Sequence, residues 1–152
     1  MNETAFRLTL SAIALALVGA PLLAAPTDQI RARITGYREL GAAFKNVNDG
    51  LRGEVQTVLI QQSAREIRNA SRAQYAWFPA GTGPQAGVKT AAKPEIWSRS
   101  AQFKAAQDAF AQQADVFQRT AAAGNAAAIR AEARKLGATC KGCHDTFRVP
   151  ND

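Results

Sequence analysis

The sequence predicts an all-α protein, an antiparallel four-helix bundle, and three observations carry that prediction. Past residue 26 the chain is rich in Ala, Arg, Gln, Glu and Leu, which favour helix, and it lacks the period-two alternation of strands. Apolar residues recur instead at three- and four-residue steps in four separate stretches. Turn chemistry falls between those stretches, brief at two junctions and long at the third.

The first helix is expected from about Thr27 to Val47. Thr27 or Asp28 can cap it after Pro26, and Ile30, Ile34, Tyr37, Leu40, Phe44 and Val47 form its stripe. Asn48-Asp49-Gly50 supplies the turn. The second is expected from about Gly53 to Tyr75, with Val55, Val58, Leu59, Gln62 and Ile67 inward and Arg65, Arg68 and Arg72 outward. From Ala76 to Pro94 there are too many Pro and Gly residues for a helix. Trp77-Phe78 opens this connection and Ile96-Trp97 follows it, so aromatic rings should pin it to the bundle end. A third helix, about Ser98 to Ala122, carries Phe103, Ala106, Phe110, Ala114 and Phe117 on one face. Gly124-Asn125 combines a helix stop with a new cap. The fourth runs from about Ala126 to Arg148, with Ile129, Ala133, Leu136, Cys140, Cys143 and Phe147 as its stripe.

The N-terminus reads as an export signal. Arg7 precedes an apolar run from Leu8 to Val18, Gly19 and Pro21 break it, and Ala24-Ala25 offers a cleavage site. Residues 1–25 are therefore expected to be removed, leaving 26–152 as one domain in the periplasm. That run is short for a membrane span, which takes about 20 residues. The net charge of +7 survives cleavage because Arg7 and Glu3 leave together. Export excludes nucleic acid as a natural partner, and a basic surface suits solubility or acidic partners.

Both cysteines and the single histidine lie in Cys140-Lys141-Gly142-Cys143-His144. C-x-x-C-H is the attachment signature of c-type haem. Residues three apart share one helix face, so both thiols can reach the two vinyl groups along one porphyrin edge. The next residue then offers an imidazole to the iron. A thioredoxin-like site would sit beside a βαβ pattern, which is missing. A structural zinc site wants four ligands, and this pentapeptide holds three. The cysteines fall on the inward stripe of the last helix, which places haem c inside the bundle near the C-terminal helix.

A C-x-x-C-H on the last of four helices resembles the class II cytochromes c, that is, cytochrome c′ and its low-spin relatives. Ile30-Arg31-Ala32-Arg33 and Leu40-Gly41-Ala42-Ala43-Phe44 are similar to that family's first helix. Trp77 to Thr82 and Lys93 to Trp97 are similar to its inter-helix loop, and Cys140 through Arg148 to its closing segment. The resemblance implies thioethers at Cys140 and Cys143 and proximal iron ligation by His144. It also implies a haem-propionate contact for Arg33, a position facing the distal side of the iron for Tyr37, and a place beside the proximal histidine for Arg148. Low-spin relatives have methionine at the Tyr37 position. A homodimer is implied as well, and an apolar patch on Val47, Leu51, Val55 or Leu59 would be its mark. On periodicity alone Tyr37 is equally a core residue, Arg33 equally a solvated one, and Arg148 equally a complement to the helix dipole.

Fast electron carriers often use His/Met ligation. Here the only methionine is Met1, which leaves with the signal, and the only histidine is His144. The sequence therefore points to a five-coordinate iron open to NO or CO, with one-electron exchange with redox partner proteins as the companion role. With the lone histidine committed, no Ser/His/Asp or Cys/His catalytic set is possible, and an enzyme is not expected. The competing class is a haem-free exported four-helix binding or structural module.

Overall fold

In the computed structural model, residues 24–150 are described. The signal segment therefore lies outside the described residues except for Ala24 and Ala25. The order is α1 (Pro26–Gly50), α2 (Thr57–Ala73), a one-turn helix α3 (Glu95–Ser98), α4 (Ser100–Ala123) and α5 (Ala126–Phe147). Short 3₁₀ turns at Gln74–Ala76 and Pro84–Ala86 punctuate the long connection. The four long helices are the expected bundle: α1 packs on α2, α2 on α4 and α4 on α5. Among the described residues no helix is long and apolar enough to cross a membrane.

Helix ends follow local chemistry. Pro26 opens α1 at its first turn, where its missing N–H costs nothing. Neither Thr27 nor Asp28 caps it, since Ala25 holds the cap position without a side-chain bond. The helix also runs through Asn48 and Asp49 to Gly50, past its expected end. Gly124 ends α4 in the left-handed region at φ 77°, and the Asn125 side chain accepts from the Ala128 N–H at 2.9 Å to start α5.

The main core joins Ala43, Val47, Ile60, Ala64, Ile67, Phe110, Ala114, Phe117, Ile129 and Leu136. On α2 the inward residues are Ile60, Ser63, Ala64, Ile67 and Ser71. Val58 is 79% exposed and Gln62 is exposed, so the expected inner face of α2 was out of register. Of the residues that would mark a dimer face, Val47 is fully buried, Leu51 and Val55 pack against the core, and Leu59 is half-buried. The α2–α4 seam carries Asp115, which accepts from Arg68 Nε and Arg72 Nη2, each at 2.7 Å. Arg130 of α5 donates to the Leu51 carbonyl and so ties the α1–α2 turn to the last helix.

A second, smaller core of Ala92, Ile96, Phe103 and Phe147 forms where the long connection meets α4 and α5. The connection pairs there with the chain end as an antiparallel bridge between Ala92 and Arg148. Lys93 N–H donates to the Phe147 carbonyl at 3.0 Å, and Val149 N–H to the Ala91 carbonyl at 2.8 Å. Between the two cores the bundle leaves a cavity.

Candidate functional site

The cavity has a volume of about 530 Å³, within the range of small-molecule and cofactor sites. Helix α1 contributes Ile34, Leu40 and Phe44; α4 contributes Phe103, Ala106 and Phe110; α5 contributes Leu136 and Phe147. Ile34, Leu40 and Phe44 belong to the apolar stripe of α1 but are only half-buried, because they face this space. All six residues singled out from the sequence, Arg33, Tyr37, Cys140, Cys143, His144 and Arg148, lie on its wall.

Cys140 and Cys143 are free thiols, partly buried, one helical turn apart on α5. Burial raises both thiol pKa values, and the neighbouring Cys140 helps push Cys143 to about 11. His144 is exposed at the rim. Atoms packed around its imidazole, and then the Arg148 charge, hold its pKa below the usual value against the opposing pull of Asp145. The ring is therefore neutral near pH 7, the form that ligates metals.

Tyr37 faces the cavity from α1. Its ring meets Trp77 edge-on at 4.8 Å and Phe78 at 6.0 Å. Its hydroxyl donates to Gln74 Oε1 at 3.4 Å. Gln74 is buried, and its amide donates to the Ser71 and Gln107 carbonyls, while the Gln107 amide donates to the Gln74 carbonyl. Burial first, and then the two cysteines, push the phenol pKa well above its ordinary value, with Arg33 pulling the other way. Tyr37 is thus a neutral phenol.

Arg33 is buried beside this wall, and its guanidinium reaches carbonyls and hydroxyls of the long connection. Burial lowers its pKa, from a value high enough that it stays charged. Sequence reasoning missed Arg38, a third guanidinium on the wall, and Thr90 and Phe78 from the connection. The signal for Arg38 was available: it follows Tyr37 and lies four residues after Ile34, at the edge of the α1 stripe.

These residues fit a haem. Two thiols and a neutral imidazole converge on one end of a mostly apolar cavity, while guanidinium groups on the wall can face carboxylates. The class defined by this fold and donor set is a bundle-type c-type haem protein.

The chain belongs to the cytochrome c′ family: the family model described as Cytochrome C′ matches residues 28–148. Its cofactor is accordingly covalently bound haem c, which removes the haem-free alternative. The cytochrome c′ of Rhodopseudomonas palustris is 34% identical over 145 residues, covering 89% of this chain and 91% of that protein. The one from Rubrivivax gelatinosus is 44% identical over 68 residues, a stretch spanning 53% of its length. Among solved structures, a cytochrome c′ with an unusual ligand-controlled dimer dissociation aligns at TM-score 0.77, with 27% identity over 82% of this chain and 97% of that one. The nitric oxide complex of an L16A mutant cytochrome c prime from Alcaligenes xylosoxidans aligns at TM-score 0.76, with 27% identity over 85% and 99%.

Proposed function

We propose that this chain is an exported, periplasmic cytochrome that binds NO or CO at a five-coordinate haem iron and exchanges single electrons with redox partner proteins. Residues 1–25 would be the cleaved signal and 26–152 the mature protein. Bound haem c supplies an iron that cycles between ferric and ferrous states. Cys140 and Cys143 would form its thioethers, and His144 would hold the iron from the proximal side. Arg33, Arg38 and Arg148 would set positive charge against the propionates.

One observation carries the five-coordinate reading. The cavity wall contains one imidazole, that of His144, and among the described lining residues neither methionine nor lysine. Tyr37 is a poor substitute ligand, because its phenol is held protonated by burial and its hydroxyl is turned to Gln74. A mostly apolar wall favours small uncharged diatomics over anions. The nitric oxide complex of the Alcaligenes relative is consistent with this reading. A homodimer is proposed with it, in line with the relative whose dimer dissociates under ligand control.

The test is spectroscopic. The denatured protein, matured with haem attached, should give a covalent haemochrome spectrum. The native ferrous protein should be high-spin and should shift on addition of CO. A low-spin, CO-inert ferrous spectrum overturns the five-coordinate reading.

A further inference from the structure

The connection from Trp77 to Pro94 lies over the cavity and contributes Phe78, Thr90, Ala91 and Ala92 to its wall. One buried cation holds it at Trp77, at Thr82 and again at Thr90. Arg33 is 2% exposed. Its Nη1 donates to the Trp77 carbonyl at 3.3 Å and to the Thr82 hydroxyl at 3.1 Å. Its Nη2 donates to the Thr82 carbonyl and to the Thr90 hydroxyl, both at 3.0 Å. Its Cζ also lies 4.8 Å from the Phe78 ring centroid and 6.0 Å from that of Trp97. Every one of these partners lies between residues 77 and 97, and none is a carboxylate. A planar guanidinium can hold several acceptors in one fixed fork, whereas a lysine offers a single point charge. The far end of the connection is fastened separately, by its bridge to the residues after His144.

We infer that Arg33 is a positioning residue that clamps the 77–94 connection as a lid over the haem cavity and thereby limits passage of small uncharged ligands. The clamp rests on the contacts above; only the ligand-passage readout rests on the gas-binding reading. Arg33 acts through Thr82, Thr90 and Phe78, so breaking any of those contacts has a related effect. Lys89, exposed and immediately before Thr90, provides a reporter, since trypsin cuts after it when the lid opens.

The holo-protein carrying Arg33→Lys, Thr82→Val or Thr90→Val is digested with limiting trypsin, and cleavage after Lys89 is followed by mass spectrometry. CO association with the ferrous protein is measured by flash photolysis on the same samples. Arg33→Lys should raise cleavage after Lys89 by about ten- to a hundredfold, the open population gained when hydrogen bonds to a charged group are lost. Each threonine variant should give a smaller rise, with CO association faster in the same order. The double variant Arg33→Lys/Thr82→Val should cleave no faster than Arg33→Lys alone. Wild-type cleavage in all three variants overturns the clamp. An effect of Arg33→Lys with both threonine variants unchanged also overturns it, because Arg33 would then act through its charge on the propionates alone and not by holding the connection. Should Arg33→Lys fail to fold, Thr82→Val decides, since it leaves the Lys89–Thr90 bond that trypsin cuts unaltered. A wild-type protein that does not bind CO defeats the gas-binding reading, while the proteolysis still judges the clamp.

Discussion

Tyr37 shows how one side chain can set the character of a site by what it declines to do. It occupies an inward position on α1, its ring is braced by Trp77 and Phe78, and its hydroxyl is directed to Gln74. Ionising it would place a negative charge in an apolar wall near two sulfur atoms, and burial opposes that. Replacement by a residue with a neutral soft donor removes the obstacle. Tyr37→Met is therefore expected to convert the ferrous spectrum from high-spin to low-spin and to slow CO binding. Absorption spectra of the two proteins, with and without CO, check this. Tyr37→Phe, which keeps the ring and loses only the hydroxyl, should remain high-spin. At this scale the sequence was informative wherever chemistry is rare. One histidine, two cysteines and the spacing between them located the site, and Arg33, Tyr37 and Arg148 all lie on the same cavity wall. The partners of Arg33 were not legible, because Thr82 and Thr90 lie far along the chain and their hydroxyls follow no period.

At the scale of the element, α1 explains why the connection begins where it does. A Cβ built at Gly36 would lie 2.5 Å from the Trp77 ring, closer than atoms tolerate. Glycine in a helix interior costs about 1 kcal/mol relative to alanine, and here that cost gives the indole a flat seat on the helix. Gly36→Ala should regain helix propensity yet destabilise the protein by about 1–3 kcal/mol, the usual penalty of overpacking. Urea denaturation with Trp fluorescence tests both the midpoint and the displacement of Trp77. An unchanged midpoint with unchanged fluorescence would contradict the close approach. The α2 stripe marks a limit of periodicity. Ser63 and Ser71 are buried there, and Ser71 satisfies its hydroxyl by donating to the Arg68 carbonyl at 2.8 Å. Small polar residues inside and Val58 outside blur the apolar signal, so the true inner face was displaced from the expected one. The helix caps of α5 were legible because a glycine followed by asparagine leaves few alternatives.

For the molecule as a whole, charge pairing sets the response to acid. Lys45 holds Asp49 low by a hydrogen bond, Lys104 and Tyr75 do the same for Asp108, and Lys135 and Gln113 for Glu132. At Asp115 burial pushes upward, but the hydrogen bonds from Arg68 and Arg72 prevail and the pKa falls. Each folded pKa is thus below its unfolded value. The stabilisation is complete above the ordinary carboxylate range and is lost as pH drops through about 4 and below. The carboxylates are half-buried at the surface and their cationic partners lie largely in solvent, so each contribution is small. Thermal melts should show a lower Tm at pH 3 than at pH 7. The difference should shrink in high salt, which screens exposed pairs. A Tm that is equal at both pH values would refute the prediction.

The bridge between Ala92 and Arg148 has a consequence for the order of assembly. The half of the pair that covers the cavity is synthesised well before its partner, which follows His144 of α5. Until that partner arrives, the segment from Ala91 to Lys93 has nothing to bridge to, and the wall it completes stays unfinished. The thiols of Cys140 and Cys143 arrive within the same stretch as Arg148. The interval in which a bulky prosthetic group can reach them without lifting a closed cover is therefore the interval before that stretch docks on the connection. Attachment and closure compete for the same few residues, and the sequence places them side by side.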